Sequence, residues 1–221
     1  MGKRIEYINI LMLSLGLLIS SSWALADKPA PPRDHTKITE NGEYIFVMLR
    51  PEDQQAKEYS DLRKNYKVSG LYRNDGSSEP LWTVDWYAFG VIPDSDGRHL
   101  MRWGPWASST DQLALSFYED GKEIKRYLVW ELVCDETKLE RSVSHFQWAS
   151  GSNYDEAQGT LQLTTHDDRT YHFLLETGEI KDGRNTNGIK NKKPILCPKE
   201  DSGTVIRCPG QRHCQSDTEV N

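Results

Sequence analysis

The chain lacks the motifs that mark several large enzyme classes. It contains no Gly-x-Ser-x-Gly nucleophile turn, no His-Glu-x-x-His zinc motif and no glycine-rich phosphate loop. It also lacks an excess of basic residues, since 33 acidic residues face 27 basic ones and the net charge is −6. Nucleic acids and anionic membranes select for basic patches, so both are disfavoured as partners. We expect no cofactor and no metal, and an enzyme is the less favoured class.

An apolar run long enough to cross a bilayer is missing from the N-terminus. The run Ile8–Ile19 is shorter than the roughly 20 residues that a membrane span needs. Basic residues precede it, and the small-residue segment Ala24-Leu25-Ala26 follows it. This order predicts a secretory signal peptide over residues 1–26, with an uncleaved anchor as the alternative. We therefore expect a secreted or periplasmic protein with no membrane span after cleavage.

Cysteine is scarce, with four residues in the whole chain: Cys134, Cys197, Cys208 and Cys214. Export permits disulfides, and four thiols allow three full pairings. Three of the four lie near the C-terminus, which favours a local bridge, either Cys208–Cys214 or Cys197–Cys208. A metal site formed by these three and His213 is the alternative. It lacks the Cys-x2-Cys spacing that presents two thiolates from one turn.

Composition divides the chain into four segments. The signal peptide, residues 1–26, is followed by a Pro-rich leader, residues 27–40. A β domain is predicted over residues 41–180, where short apolar runs alternate with turn signals. Lys, Asn, Gly and Pro dominate residues 181–221, so we expect a poorly ordered, Cys-containing tail there.

The β domain is expected to be an antiparallel meander of about nine strands, forming a sandwich or a small barrel with one or two short helices. Asp96-Gly97 and Asp120-Gly121 are hairpin signals, because both central residues of the tight turn need positive φ. The helices are expected within residues 52–67 and 131–140. The nine predicted strands are Glu43–Arg50, Val68–Arg73, Pro80–Phe89, Arg98–Trp103, Gln112–Tyr118, Ile124–Trp130, Val143–Ala149, Thr160–Thr165 and Thr170–Glu176.

Three short units carry a resemblance. Asp96-Gly97-Arg98, Asp120-Gly121-Lys122 and Tyr171-His172-Phe173 with Thr177-Gly178-Glu179 resemble the strand–turn–strand units of β-propeller blades. The resemblance covers these hairpins only, and nine strands fall short of the four or so four-stranded blades that a closed propeller needs. The whole pattern is similar to exported bacterial β-meander proteins of unknown function, which implies no particular activity.

A ligand-binding site is predicted at the segment Trp103-Gly104-Pro105-Trp106. Two indoles flank a break in a strand there, and exposed indoles suit stacking against sugar rings or peptide prolines. Arg102 and Asp85 are the candidate polar contacts. The alternative is that the tryptophans fill the core. The tryptophans concerned are Trp82, Trp86, Trp103, Trp106 and Trp130.

These features favour a binding or interaction module that uses an aromatic surface, with a glycan, a peptide or another envelope protein as partner. In a closed barrel, the same aromatics would line a cavity for a small apolar ligand. A hydrolase of envelope polymers and a structural or accessory subunit are the alternatives. Ser144 and His145 are not expected to act as nucleophile and base, because neighbouring strand residues point to opposite faces.

Overall fold

The protein is all-β and its strands are antiparallel, as predicted. The computed structural model describes residues 30–52, 60–181 and 196–197, which contain 13 strands in four sheets. The predicted signal peptide and most of the predicted tail lie outside these ranges. The arrangement in four sheets does not confirm either the sandwich or the small barrel.

Each sheet is built from strands that follow one another along the chain. The first sheet contains β1 (His35–Ile38), β2 (Tyr44–Met48), β3 (Gly70–Arg73) and β4 (Pro80–Thr83). The second contains β5 (Val91–Pro93), β6 (His99–Trp103), β7 (Leu113–Glu119) and β8 (Lys122–Leu128). A two-stranded sheet pairs β9 (Glu140–Arg141) with β10 (Phe146–Gln147), and the last sheet contains β11 (Ala149–Asp155), β12 (Thr160–Thr165) and β13 (Thr170–Leu174). Two of the four sheets therefore have the four-stranded meander order of a propeller blade. A closed propeller needs at least about four such blades.

Helical structure is limited to single turns in the described part of the chain. The two α-helices are α1 (Leu62–Asn65) and α2 (Val129–Leu132), and the two 3₁₀ turns are Glu136–Lys138 and Glu156–Gln158. The prediction of one or two short helices is confirmed. Among the described residues, no helix has the length and apolar character of a membrane span.

The two Asp-Gly hairpins differ in their turns. At Asp120-Gly121 both residues have positive φ, 48° and 79°, which gives the expected tight two-residue turn between β7 and β8. At Asp96-Gly97 only the glycine has positive φ, because the turn between β5 and β6 is longer. The prediction that both central residues of this turn have positive φ is therefore wrong for Asp96.

Three strand predictions need correction. His35–Ile38, placed in the leader by composition, pairs with β2 as an edge strand because its partners Ile45–Met48 have no other neighbour on that side. The predicted strand Pro80–Phe89 ends at Thr83, although Trp82, Val84 and Trp86 still pack into one apolar cluster. The predicted strand Val143–Ala149 is interrupted, since residues 142–145 form the turn between β9 and β10.

Three apolar clusters lie between the sheets. The largest joins β7, β8, α2 and the last sheet, and includes Phe117, Tyr127, Leu132 and Phe173. The other two cover the opposite faces of β2, with Phe46 and Met48 on one side and Ile45 and Val47 on the other. This burial on both faces is what the apolar run Glu43–Arg50 predicts.

Tyrosine and phenylalanine, rather than tryptophan, supply the largest fully buried side chains. They include Tyr72, Tyr127 and Tyr171, and each tyrosine hydroxyl donates to a backbone carbonyl within 2.9 Å. Only two described tryptophans are buried, Trp82 and Trp148. Tyrosine can be buried deeply here because its one polar atom has a carbonyl partner in each case. The interior therefore does not depend mainly on indoles.

A disulfide joins residues that directly follow Val133 and Leu196, both of which belong to or pack against the largest cluster. Cys134 and Cys197 are bonded, with Cα atoms 5.2 Å apart and a sequence separation of 63 positions. The backbone N–H of Cys197 also donates to the carbonyl of Glu131 at 3.0 Å. The predicted alternative Cys197–Cys208 is wrong, because Cys197 is already bonded. Cys208–Cys214 and the metal site that includes His213 lie outside the described residues.

Candidate functional site

An exposed aromatic corner of the second sheet follows Trp103, the last residue of β6. The N–H of Gly104 still donates to the carbonyl of Ala114, at 2.8 Å. Any Cβ on Gly104 would stand 1.7 Å from the carbonyl oxygen of Leu113, so only glycine fits there. Pro105 follows and has no N–H to continue the ladder. The chain therefore leaves the sheet, and the side chain of Trp106 stays 41% exposed.

Pro105 and Trp106 form a ridge between two apolar grooves, which we call the Trp106 ridge. The first groove, here the leader groove, has a volume of about 370 Å³ and is lined by Ala30, Phe89, Gly104 and the ridge. The second, here the hairpin groove, has a volume of about 240 Å³. Its walls are the ridge together with Trp103, Ala107, Phe146, Gln147, Trp148 and Ala149.

The two tryptophans of the predicted site have different environments. Trp103 is half-buried, and its ring packs against that of Trp148, with centroids 5.9 Å apart. Trp106 instead contacts His145, with ring centroids 3.9 Å apart. Trp103 therefore forms the floor of the hairpin groove and Trp106 forms its exposed wall. The indole of Trp106 is the one available to stack on a ligand.

Arg102 and Asp85 do not join the two tryptophans. Arg102 lies on the opposite face of β6 from Trp103, with its guanidinium 4.4 Å from the centre of the Trp86 ring. It also donates to the carbonyl of Tyr87 at 3.3 Å. Asp85 is exposed and makes no hydrogen bond or salt bridge to the described part of the chain. Arg102 thus holds the segment that carries Phe89 and does not contact the grooves.

The turn between β9 and β10 adds a second element beside the ridge. Ser142 Oγ lies 3.0 Å from Nδ1 of His145, and Ser144 Oγ lies 3.3 Å from the same nitrogen. The premise that Ser144 and His145 lie in a strand is wrong, because both lie in the turn between β9 and β10. Ser142 Oγ also lies 2.9 Å from the carbonyl of His145, so the hydroxyl closes the turn. Val143 at the tip is 96% exposed.

The leader reaches the same surface. The hydroxyl of Tyr87 accepts from the backbone N–H of Arg33 at 3.0 Å and donates to the carbonyl of Arg33 at 3.1 Å. The ring of Tyr87 is edge-on to that of Phe89, with centroids 5.3 Å apart. Ala30, three residues upstream of Arg33, lines the leader groove. Sequence reasoning missed Ala30 and Phe89, because nothing in their local pattern shows that they meet.

A cluster of carboxyl groups lies away from the grooves, where three turns meet. Asn41 bonds through its N–H and its side-chain amide to Ser95, at 3.2 and 3.1 Å, which brings its neighbour Glu40 to the turn after β5. Partial burial and the adjacent carboxyl of Glu40 raise the pKa of Glu156 to about 7. Burial, followed by the charge of Asp96, raises the pKa of Asp94.

The same cluster contains a carboxylate with the opposite shift. Burial alone would raise the pKa of Asp96, but hydrogen bonds from the backbone of His99 and Arg98 and from the ring of His99 hold it below its ordinary value. No group of three or more His, Cys, Asp or Glu residues in the described ranges has the geometry to hold a metal ion. The cluster therefore consists of ionisable carboxyl groups at the place where turns from three sheets meet.

Comparisons with protein families, with characterised proteins and with solved structures found no match to this chain.

Proposed function

We propose that the protein is a secreted or periplasmic binding module that holds an extended ligand on the Trp106 ridge. The observation that carries the proposal is the exposed indole of Trp106, which stands between two apolar grooves on a backbone that Gly104 and Pro105 fix. Rigid, exposed aromatic side chains contribute much contact area at low cost in conformational entropy.

The groove walls favour a peptide over a glycan. Among the described residues that line the leader groove, the one polar side-chain group is the indole N–H of Trp106. In the described walls of the hairpin groove, the polar side-chain groups are the amide of Gln147 and the indole N–H groups of the three tryptophans. Sugar hydroxyls require several convergent hydrogen-bonding groups, whereas apolar peptide side chains require dry concave surface. A peptide or an extended segment of another envelope protein therefore fits better.

The proposed compartment is supported by two features. The N-terminal pattern of basic residues, apolar run and Ala24-Leu25-Ala26 is that of a secretory signal. The bond between Cys134 and Cys197 is of a kind that persists in oxidising compartments. Mass spectrometry of the purified exported protein would test cleavage, and a mature chain beginning at Asp27 is the expected result.

A thermal-shift screen against peptides, glycans and lipids tests the binding function. A ligand at 100 times its Kd stabilises the folded state by about 2.7 kcal/mol, which raises the melting temperature of a domain of this size by about 5–10 °C. Trp106→Ala should abolish the shift. Ile124→Ala, which removes another exposed apolar side chain, should preserve it. A shift that survives Trp106→Ala would show that the ridge is not the binding surface.

A hydrolase remains the second candidate, and one contact favours it. Ser142 Oγ is within hydrogen-bond reach of the imidazole of His145, which is the pairing of a nucleophile with a general base. A fluorophosphonate probe would label Ser142 if the imidazole activates it, and the Ser142→Ala variant would then lose the label while Ser144→Ala kept it. We expect no labelling, because Ser142 Oγ closes the local turn through the carbonyl of His145.

A further inference from the structure

The backbone of the leader is held at Arg33 whatever its side chain. One hydroxyl, that of Tyr87, accepts from the N–H of Arg33 and donates to its carbonyl. Because this hydroxyl hydrogen-bonds both polar backbone groups of one residue, it holds the extended chain in place without a strand partner. The contact is of the kind that aromatic grooves use for peptides that have no internal hydrogen bonds.

The residue after Arg33 anchors the leader on its other side. The carboxylate of Asp34 accepts two hydrogen bonds from the guanidinium of Arg63, at 3.0 and 3.1 Å, and one from the backbone N–H of Arg50, at 2.8 Å. The leader therefore leaves the domain from a fixed point. From that point it runs toward Phe89 and Trp106, because Ala30 forms a wall of the leader groove.

Proline gives the intervening segment its stiffness. Pro31 and Pro32 are exposed and connect the Tyr87 contact to the groove. Their rings hold φ near −65°, which favours polyproline II geometry with about 3.1 Å of rise per residue. In the sequence, Pro29 directly precedes Ala30, and it lies outside the described residues. The stiff Pro31-Pro32 pair therefore connects the Tyr87 contact to Ala30 in the groove wall.

We propose that the leader groove binds a proline-containing extended peptide, and that the chain's own segment Asp27–Pro29 occupies it in cis. The inference rests on the function proposed above and adds the ligand class and a means of regulation. Aromatic walls, with no charged side chain among the described residues that line the groove, match the apolar ring of proline. A partner peptide binds when it displaces the leader, so the leader lowers the apparent affinity for that partner.

The test uses the mature chain, which begins at Asp27, and a synthetic peptide with the sequence of residues 27–34, measured by isothermal titration calorimetry. A leader variant carries Pro29→Gly, Pro31→Gly and Pro32→Gly. These substitutions remove the proline ring of the proposed occupant and the stiffness of the leader, and they leave every described residue of the groove wall unchanged. We expect the peptide to bind the leader variant at least tenfold more tightly than it binds the unsubstituted chain. Trp106→Ala or Phe89→Ala in the leader variant should abolish binding, and Ile124→Ala should not.

Three results would overturn the inference. Equal affinity for the leader variant and the unsubstituted chain would exclude occupation in cis. Binding that persists in both Trp106→Ala and Phe89→Ala would exclude the leader groove. Failure of the peptide to bind either chain, while another class of ligand gives a thermal shift that needs Trp106, would leave the proposed binding function intact and exclude proline recognition. No Trp106-dependent ligand of any class would exclude both proposals.

Discussion

Asp34 and Arg63 form a doubly hydrogen-bonded salt bridge whose carboxylate is only 1% exposed to solvent. The guanidinium approaches both carboxylate oxygens, at 3.0 and 3.1 Å, and also donates to the carbonyl of Arg50. Partial burial would raise the pKa of Asp34, but the hydrogen bonds from Arg63, Ser60 and Arg50 outweigh it and hold the pKa below its ordinary value. The pair ties the end of the leader to α1 and to the segment that follows β2.

Removing this carboxylate should destabilise the protein strongly. We expect Asp34→Ala to lower the free energy of unfolding by about 3 kcal/mol or more, because it leaves a shielded guanidinium without its partner. Urea unfolding measures the change. The control is Asp61→Ala, which breaks the exposed bridge between Asp61 and Lys64 and should cost less than about 0.5 kcal/mol. Equal effects of the two substitutions would contradict the assigned role of Asp34.

The stability of the protein should fall as pH rises from about 5 to 8. The folded-state pKa of Glu156, about 7, exceeds its ordinary value of 4.5, so the folded chain binds the extra proton in this window. Stability is then highest below the unfolded pKa and is lost as pH passes through the folded one. Because Glu156 is only partly shielded from water, screening limits the effect to about 1 kcal/mol.

Urea unfolding at several pH values measures this slope. The substitution Glu156→Gln removes the titrating group and the repulsion from Glu40, so the slope should flatten and stability at pH 8 should increase. Glu176→Gln, at an exposed position, should leave the slope unchanged. A slope that persists in Glu156→Gln would place its origin in other groups.

Breaking the disulfide should cost about 4 kcal/mol of unfolding free energy. The bond closes a loop of 63 residues, and the chain-entropy treatment gives this value for a loop of that length. Cys134→Ser should therefore lower the urea midpoint, and reduction of the unsubstituted chain with dithiothreitol should lower it by a similar amount. Peptide mapping without reduction should recover the fragment that joins Cys134 to Cys197. A fragment joining Cys197 to Cys208 would refute the pairing.

Glycine at position 104 should be essential to the corner. In Gly104→Ala the new methyl group would overlap the carbonyl of Leu113, so a loss of about 2–3 kcal/mol and displacement of Trp106 are expected. Gly151→Ala is the matched control, because a Cβ at Gly151 meets no atom within 4 Å and its φ is not positive. Unfolding measurements give the stability change, and acrylamide quenching of tryptophan fluorescence reports the movement of the corner.

Local patterns predicted the local structure well. Alternating apolar residues and turn residues identified β2, β3, β6, β7, β8, β12 and β13, since pleat and turn conformation depend on neighbours along the chain. The same patterns failed at Pro80–Phe89, where alternation persists but the ladder stops. No neighbouring strand continues past Thr83 in the described part of the sheet, so burial alone maintains the alternation.

The candidate site was only partly predictable. The break at Gly104-Pro105 follows from residue types that cannot continue a ladder, whereas the exposure of Trp106 was one of two alternatives that the sequence left open. Arg102 was expected beside the two tryptophans of the site, but it stacks on Trp86, because Arg102 and its strand neighbour Trp103 point to opposite faces of β6. Ala30 and Phe89 could not have been identified, because their positions depend on the paths of two separate irregular segments.

The sequence by itself determined the strand class, the tight turn at Asp120-Gly121 and the break in the strand after Trp103, because each depends on backbone preferences of a few adjacent residues. Tertiary structure alone decided that Cys134 meets Cys197, that Glu40 meets Glu156 and that the leader meets Tyr87. These pairs are separated by at least 54 residues. Their contact depends on how whole sheets pack, which no local pattern encodes.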